Sequence, residues 1–335
     1  MVKARKYVVI KYFEGFPKRD DFNIVEYELP PLQNGEILIK AEWLSVDPYQ
    51  RAYNRKFPLP FDQFGFIVGV VEDSRNPRFQ LGDKVVSHSC WSDFSIVSPN
   101  ICNSKLDITY KLPDLRGLSP SLGISAISAV GATAYFGFLE ICQPKAGETV
   151  VVTGAAGAVG SIVGQIAKIK GCKVIGFAGT DDKVAWLQNE LGFDKAYNYK
   201  TCNVNEVLKV AAPNGVDCYF DNVGGEMSST IISHMNDFGR VSVCGSISAY
   251  NDDQSQLPRA PILQFDIVMK QLKIEGFLAH RWFEQWPEAF EALIKWVLEG
   301  KIKINEHITE GFDNIFEAFI GMLAGKNTGK AIVKI

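Results

Sequence analysis

The sequence predicts an α/β protein in which a β-rich region precedes a doubly wound parallel sheet of the Rossmann type. Three observations support this class. Residues 149–160 (TVVVTGAAGAVG) place a β-branched run before three glycines spaced three apart, and residues 161–168 continue with helical apolar spacing. Further on, apolar strands alternate with helical segments, which is typical of parallel βαβ units. Residues 1 to about 120 show turn signals and alternating apolar positions but little helical periodicity.

The glycine turn predicts a dinucleotide site. A strand that turns sharply into a helix lets the backbone approach a pyrophosphate, and the helix N-terminus offers N–H groups to it. The spacing is GxxGxxG rather than GxGxxG, so on its own it is also consistent with tight packing in an α/β domain. Ligands of such sheets lie at the carboxyl ends of the strands. The residues expected there are Gly154, Gly157, Asn222, Gly224, Gly225 and Gly245.

The spacing of apolar residues, together with residues that typically end a helix, predicts the later strands and helices. Residues 173–177, 216–220 and 240–244 are predicted strands, and residues 181–191 a predicted helix. A second helix is predicted over 286–299 and is closed by Gly300. Residues 329–335 predict a strand with no helix after it. That strand either returns to the first domain and completes its sheet, or forms the last edge of the α/β sheet.

Composition limits the possible classes of protein. A chain of 335 residues is long for a single core, so two domains are expected. The net charge of −3 argues against general nucleic-acid binding. No apolar stretch reaches the length of a membrane span. The seven cysteines form no CxxC pair, which favours free thiols in a reducing compartment and a cytoplasmic location.

Short motifs distributed almost from end to end resemble one enzyme family. They are residues 29–32 (LPPL), 46–49 (VDPY), 133–137 (TAYFG), 155–161 (AAGAVGS), 198–200 (NYK), 219–225 (YFDNVGG), 244–250 (CGSISAY) and 296–301 (WVLEGK). The chain resembles the zinc-free medium-chain dehydrogenase/reductases, and most closely the prostaglandin reductases (leukotriene 12-hydroxydehydrogenases).

The resemblance implies both an architecture and an activity. It implies a GroES-like domain over 1–122 and 301–335, a Rossmann NADPH-binding domain over 123–300, a cleft between them and a homodimer. It also implies NADPH-dependent reduction of the carbon–carbon double bond of lipid enones and enals such as oxo-prostaglandins. Residues 129–133 (AVGAT) and His280 depart from the family pattern, which often has Met-Pro-Gly and tyrosine there. Substrate preference is therefore the property that transfers least.

The choice of cofactor can be argued from charge. NAD sites usually place an acid at the end of the second strand, and residues 177–180 (FAGT) contain none. Asp181 and Asp182 are expected to cap and begin the next helix. Lys183 can neutralise a 2′-phosphate, and Thr180 can donate a hydroxyl to it. The alternative for Lys183 is a solvated helix lysine. NADPH is the predicted cofactor.

The resemblance also implies a set of cofactor contacts. They are Ala156, Gly157, Ala158, Val159, Gly179, Lys183, Tyr199, Asn222, Cys244, Gly245, Ser246, Ile247, Ser248, Tyr250, Phe277, Leu278, His280 and Asn327.

Two tyrosines are the predicted catalytic residues. Hydride addition to an enone pushes negative charge onto the carbonyl oxygen, which preformed donors can stabilise. Tyr250 is the expected donor, with the nicotinamide ribose hydroxyl as a second; alternatively it is a loop tyrosine packed on the cofactor. Tyr49 is expected to line the substrate side of the cleft, or else to be an aromatic residue of the barrel rim. His280 is either a polar gate or a histidine satisfied locally.

No metal is expected. Catalytic zinc needs about three closely arranged ligands. Residues 46–49 and 64–67, which correspond to the ligand segments of zinc-dependent relatives, supply no such pair. His88, His234, His280 and His307 are far apart in sequence. Two other functions stay open: an NADPH quinone reductase, and a non-catalytic member that keeps the cofactor site.

Overall fold

The computed structural model describes residues 2–99, 108–252, 261 and 263–335. Its described residues group into two compact units. The first unit lies within Met1–Ser125, Glu306–Asn327 and Ala331–Ile335, and the second within Ala126–Asn305 and Thr328–Lys330. The domain limits expected from the sequence, at 122 and 300, stay a prediction.

The first unit contains most of the antiparallel strands. Its N-terminal elements are β1 (Lys3–Val9), β2 (Phe22–Glu28), β3 (Ile37–Ser45), α1 (Pro48–Ala52), β4 (Phe61–Asp62), β5 (Phe64–Ser74), β6 (Lys84–Cys90), β7 (Phe94–Val97) and β8 (Thr109–Lys111). Short 3₁₀ turns cover Arg19–Asp21, Asn54–Lys56 and Pro120–Ile124.

The second unit alternates strands and helices. Its elements are α2 (Ala129–Phe136), continued by a π-helical turn (Gly137–Cys142), β9 (Thr149–Val152), α3 (Ala158–Ile169), β10 (Lys173–Ala178), α4 (Asp181–Asn189), β11 (Lys195–Asn198), α5 (Val204–Ala211), β12 (Val216–Asp221), α6 (Gly225–Ser233), β13 (Met235–Val243), α7 (Gln264–Met269), β14 (Lys273–Gly276) and α8 (Trp286–Leu298). Further 3₁₀ turns cover Ile247–Ala249 and Ala279–Gln285.

The chain then returns to the first unit. Its last elements are β15 (Glu306–Glu310), a 3₁₀ turn (Phe312–Asn314), α9 (Ile315–Leu323) and β16 (Lys330–Lys334). In the seven-stranded sheet, six strands run in the order β15-β16-β3-β5-β6-β8, and β7 pairs with β3. Ile332 lies opposite Ser45 in the antiparallel pair of β16 with β3. The prediction that the C-terminal strand returns to the first sheet is confirmed, and its alternative as an edge of the α/β sheet is wrong.

The sheet of the second unit is parallel in every pairing between its described strands. Its order is β11-β10-β9-β12-β13-β14. Counted from β9, this is 3-2-1-4-5-6, the order of a Rossmann sheet, with the switch point between β9 and β12. Val150, Val151 and Val152 are fully buried in β9, as expected for a strand covered on both faces. The predicted fold class, a β-rich domain plus a Rossmann domain, is confirmed.

Element boundaries differ modestly from the sequence prediction. The predicted helices 181–191 and 286–299 are found as α4 and α8, one or two residues shorter at the C-terminal end. The predicted strand 240–244 is longer, because β13 begins at Met235. Phe238 has a φ of +60° inside β13 and breaks its regularity. No helix among the described residues is long and apolar enough to cross a membrane.

Candidate functional site

The glycine turn between β9 and α3 has the backbone geometry that a pyrophosphate site needs. Gly154 holds a φ of +58°, a left-handed conformation that favours glycine. Gly157 is the N-cap of α3, and its N–H donates to Gly154 O at 3.0 Å. A Cβ on Gly160 would lie 2.4 Å from Gly154 O, so the third glycine lets the helix start close against the turn. Because the first N–H groups of a helix have no intrahelical partner, the turn fits a phosphate.

A second backbone segment lies against this turn within the same unit. The N–H of Gly329 donates to Ala156 O at 2.8 Å, and Gly329 forms a parallel bridge with Gly157. A Cβ on Gly329 would come within 2.0 Å of Asn305 O, so the contact requires glycine there. Asn327, one of the expected cofactor contacts, precedes this glycine by two residues and belongs to the first unit.

The ends of β10 and β11 bring a phenol and an ammonium group together over Gly179. A Cβ on Gly179 would lie 3.3 Å from Tyr199 Oη and 3.6 Å from Lys200 Cε. The N–H of Tyr199 donates to Ala178 O at 3.1 Å, which aligns the two strand ends. Gly179 and Tyr199 are among the predicted cofactor contacts, whereas Lys200 was not predicted. Its signal was its place directly after Tyr199, at the carboxyl end of a strand.

Two lysines, Lys183 and Lys200, interact at this strand end. Burial, and next the positive charge of Lys200, hold the pKa of the Lys183 ammonium below its usual value. Thr180, not an aspartate, caps α4, since its Oγ1 accepts from Lys183 N–H at 3.4 Å. Asp181 Oδ1 accepts from Asn198 Nδ2 at 2.8 Å. Two neighbouring lysines repel each other, so an anion bound between them would be stabilised.

A buried carboxylate organises the loop after β12. Asp221 is 2% exposed. Its Oδ1 accepts from the N–H groups of Val223 and Gly224, both at 2.9 Å, and its Oδ2 accepts from Ser228 Oγ at 2.6 Å. These bonds fix the turn that leads into α6. The sequence analysis quoted Asp221 within a family motif but gave it no role, although its place at a strand end was visible.

Asn222 is tied to the first strand of the sheet. Its Nδ2 donates to Thr153 O at 2.7 Å, and its backbone N–H donates to Thr153 Oγ1 at 3.2 Å. A Cβ on Gly154 would meet Asn222 Cβ at 3.3 Å, which places the amide beside the glycine turn. One N–H of this amide is therefore committed to Thr153, and its Oδ1 is the atom suited to accept from a bound amide or hydroxyl.

The segment after β13 folds back over the end of β12. Cys244 and Gly245 donate their N–H groups to Asp221 O at 2.8 and 3.1 Å. Ser248 Oγ donates to Val223 O at 2.6 Å. Burial raises the pKa of the Cys244 thiol to about 12, with the charge of Asp221 adding to it, so the sulfur stays protonated.

Tyr250 ends this segment with its hydroxyl directed at the strand end. Its Oη accepts from the N–H of Ser246 at 3.3 Å. A Cβ on Gly245 would lie 3.1 Å from the same oxygen. A hydroxyl that accepts one hydrogen bond can still donate its own proton, and the accepted bond polarises that O–H group. This geometry suits a hydrogen-bond donor.

The predicted cofactor residues that follow β14 differ in how far they are buried. The Phe277 ring fills the space over Gly137, where a Cβ would come within 2.1 Å of it, and it packs near Trp282 at 5.7 Å between ring centroids. Leu278 is 56% exposed. His280 lies in the following 3₁₀ turn and is half-buried. Phe277 therefore has a packing role whether or not it also contacts the cofactor.

In the first unit, Tyr49 lies in the first turn of α1 and faces His88 of β6. Its Oη lies 3.1 Å from His88 Nε2. Burial raises the pKa of the Tyr49 phenol well above its ordinary value, and the charges of Asp47 and Tyr53 add to the rise. A capping box orients the helix, because Asp47 N–H donates to Gln50 Oε1 at 2.8 Å. The sequence analysis treated His88 as isolated and did not foresee this pair.

The histidines and acidic residues of the described ranges form no metal centre. Across the described ranges, no group of three or more His, Cys, Asp or Glu side chains is arranged to hold a metal ion. His234 Nε2 is hydrogen-bonded to Asn205 Oδ1 at 2.8 Å.

Most of the predicted cofactor residues thus share one edge of the parallel sheet. They follow the carboxyl ends of β9, β10, β11, β12, β13 and β14. This is where ligands bind in open α/β sheets. Tyr49 and Asn327 belong to the other unit.

Comparison with known proteins identifies the family. A family model described as "Zinc-binding dehydrogenase" matches residues 158–297, and one described as "N-terminal domain of oxidoreductase" matches residues 5–104. Prostaglandin reductase 1 of Bos taurus is 49% identical over 337 residues, with 100% of both chains covered. A 2-alkenal reductase (NADP(+)-dependent) of Nicotiana tabacum is 35% identical and covers 99% of this chain and 98% of its own.

A solved structure is similar over nearly the whole chain. The crystal structure of CurA in complex with NADPH from Vibrio vulnificus has a TM-score of 0.89 at 34% identity, with 98% of each chain covered. Together with the full-length relatives, this places the chain in the medium-chain dehydrogenase/reductase family, where it belongs with the prostaglandin reductases.

Proposed function

We propose that this protein is an NADPH-dependent reductase of the carbon–carbon double bond of α,β-unsaturated ketones and aldehydes, including lipid enones of the oxo-prostaglandin type. The names of the prostaglandin and 2-alkenal reductases support the substrate class. The structural observation that carries the proposal is Tyr250. Its hydroxyl stands at the carboxyl end of β13, held by Ser246 N–H, on the same sheet edge as the glycine turn.

The residues present fit a dinucleotide that carries a 2′-phosphate. Ala156, Gly157, Ala158 and Val159 would hold the pyrophosphate through the turn and the helix N-terminus. Gly179, Lys183 and Tyr199 would hold the adenosine end, and we add Lys200 as a second cation there. The remaining contacts proposed are Asn222, Cys244, Gly245, Ser246, Ile247, Ser248, Phe277, Leu278, His280 and Asn327.

When bound, NADPH supplies the hydride that this reduction requires. The chain's own part is electrostatic. The Tyr250 hydroxyl donates to the substrate oxygen as negative charge builds on it, and the Ser246 N–H holds the phenol in place. The α-carbon then takes a proton from water, so the chain needs no dedicated acid there. Tyr49 is retained as a proposed substrate contact.

One experiment tests the proposed activity. NADPH consumption is followed with a panel of 2-alkenals, enones, an oxo-prostaglandin and quinones. We expect turnover with the enals and enones and much less with quinones. Turnover of quinones alone would instead make the protein a quinone reductase. Binding of NADPH without any turnover would make it a non-catalytic member.

A homodimer and a cytoplasmic location belong to the same proposal. The helix α7, which precedes the edge strand β14 in the chain, exposes Phe265, Val268 and Met269, which are 75%, 70% and 61% exposed. Exposed apolar side chains beside an open sheet edge suit a second copy of the chain. Light scattering that gives the monomer mass at micromolar concentration would contradict the dimer. The six cysteines within the described residues are free thiols, which favours a reducing compartment.

A further inference from the structure

The contact between Tyr49 and His88 joins two elements that are 39 residues apart in the chain. Tyr49 lies in the first turn of α1, and His88 lies in β6. The phenolic oxygen is 3.1 Å from Nε2, and the ring centroids are 6.2 Å apart. A tyrosine hydroxyl and an imidazole nitrogen can each donate or accept, so the direction of this hydrogen bond depends on protonation.

Both rings are held in place by neighbouring aromatic side chains. The Tyr49 ring stacks on Phe64, with centroids 6.0 Å apart. The His88 ring meets Phe66 edge to face at 4.8 Å. Phe66 also pairs with His88 across the β5–β6 ladder, and His88 N–H donates to Ile108 O at 2.8 Å. The pair is thus supported by backbone hydrogen bonding and by ring packing.

Of the two residue types, histidine is the one whose side chain ordinarily changes charge near neutral pH. The pKa of the Tyr49 phenol is raised by burial and by the charges of Asp47 and Tyr53, so the phenol keeps its proton. Histidine ordinarily changes charge between about pH 5 and 8. The proton on Nε2 of His88, which is always present in the charged form and present in only one neutral tautomer, therefore sets the direction of the bond.

Two states follow from this chemistry. When His88 is neutral with Nε2 unprotonated, the Tyr49 hydroxyl donates to it and offers lone pairs to a substrate. When His88 is charged, its Nε2–H donates to the Tyr49 oxygen. The phenol keeps its proton, and its O–H group can then donate to another acceptor. A substrate oxygen gains a donor in the second state.

We propose that His88 is a positioning residue. As His88 becomes protonated, the Tyr49 hydroxyl changes from an acceptor to a donor toward the substrate oxygen, and enones are reduced more efficiently. This inference rests on the proposed function, because it takes Tyr49 as a substrate contact.

Several charged or titratable groups lie on the described elements around the pair. At the start of α1, Asp47 places a negative charge near Tyr49. Lys56, after α1, lies 3.7 Å over the Tyr53 ring. From the strands, burial raises the pKa of Tyr110 in β8, and burial also raises the pKa of Cys90 in β6, so both stay neutral. The facing positions of β5 are phenylalanines.

The test compares pH profiles. kcat/KM for an enone is measured from about pH 6 to about pH 8.5, which spans the ordinary histidine pKa. For the unmodified protein we expect a pH profile with one inflection, in which kcat/KM is about 2- to 10-fold higher on the acid side. This is the size of effect expected from a single hydrogen bond between neutral groups. His88→Gln keeps a polar group without titration and should remove the inflection. His307→Gln, at an exposed histidine of β15 in the same unit, is the matched control and should keep it.

A second measurement does not depend on turnover. The chain has four histidines, so the imidazole NMR signal of His88 can be assigned with His88→Gln. Its titration midpoint should move in Tyr49→Phe, while that of His307 stays in place. An unchanged His88 midpoint, or an inflection that persists in His88→Gln, would overturn the inference. Failure of the unmodified protein to reduce any enone would instead count against the proposed function, while the NMR result would still test the pair.

Discussion

The phenolic oxygen of Tyr250 accepts a hydrogen bond from the backbone N–H of Ser246 at 3.3 Å. The tyrosine side chain therefore folds back toward Ser246, which lies four residues before it in the chain and shortly after the end of β13. This relationship connects the loop after β13 to the proposed chemistry, because it fixes the position of a hydroxyl, a group that can donate as well as accept a hydrogen bond.

Tyr250→Phe should lower turnover without abolishing it. Loss of one donor to a developing oxyanion can cost about 10²-fold or more, and the cost should be smaller if a second donor reaches the same oxygen. Steady-state rates with a 2-alkenal measure the effect, and NADPH affinity, measured by fluorescence, serves as the control. If turnover and affinity are both unchanged, Tyr250 is a packing residue.

Lys183→Ala and Lys200→Ala should each weaken NADPH much more than NADH. A charge-assisted hydrogen bond contributes about 1.5 to 3 kcal/mol, which corresponds to roughly 10- to 150-fold in the dissociation constant. Equilibrium binding of both cofactors measures the ratio. Lys195→Ala, at the opposite end of β11, is the matched control and should leave it unchanged. Equal catalytic efficiency with NADH and NADPH in the unmodified protein would contradict the proposed 2′-phosphate site.

The sequence was sufficient to predict the sheet, because β-branched runs and glycine turns report local backbone preferences. It was also sufficient for Gly154, Gly157 and Asn222, whose place after strands is a local property. The sequence could not predict the contact between Tyr49 and His88, because a contact between elements that are distant in the chain depends on how the sheet closes. The early start of β13 at Met235 was missed for a similar reason: pairing with the neighbouring strand overrides weak local propensity.

Activity should not depend on a metal ion. The described residues bring no group of three ligating side chains together, and the proposed stabilisation of charge uses a hydroxyl. We expect purified protein to contain less than stoichiometric zinc and to keep its turnover in the presence of a chelator. Stoichiometric zinc, with loss of turnover on its removal and recovery on its return, would show that the proposed chemistry is wrong.

Stability should fall at acid pH partly through Glu148. Burial alone would raise the pKa of this carboxyl, but hydrogen bonds from Arg240 and from Lys145 N–H outweigh burial and hold the pKa below its ordinary value. Glu148 Oε2 lies 2.6 Å from Arg240 Nη2, and both side chains are 17% exposed. A lowered folded-state pKa stabilises the protein above the unfolded value of about 4.3, and this contribution is lost as pH falls.

Glu148→Gln should therefore reduce the free energy of unfolding by about 1 to 3 kcal/mol at neutral pH, because Arg240 loses its charged partner. The difference from the unmodified protein should shrink as pH falls below about 4. Denaturant unfolding at several pH values measures both effects. Glu206→Gln is the control: its carboxylate pairs with Lys209 in the same way but is exposed to solvent, so this variant should change the loss of stability at acid pH much less. A difference between Glu148→Gln and the unmodified protein that is independent of pH would point to lost packing rather than lost charge.

The reduction should be a 1,4-addition that leaves the carbonyl intact. Carbonyl reduction needs an acid or a metal to take up the charge of the alkoxide as it forms. A conjugate addition spreads that charge over an enolate, which the Tyr250 hydroxyl can stabilise by a hydrogen bond. We therefore expect deuterium from labelled NADPH only at the β-carbon of the product, and deuterium from heavy water at the α-carbon. Mass spectrometry and proton NMR of the product distinguish the two positions. An allylic alcohol that keeps its double bond would show that both the proposed reaction and the proposed role of Tyr250 are wrong.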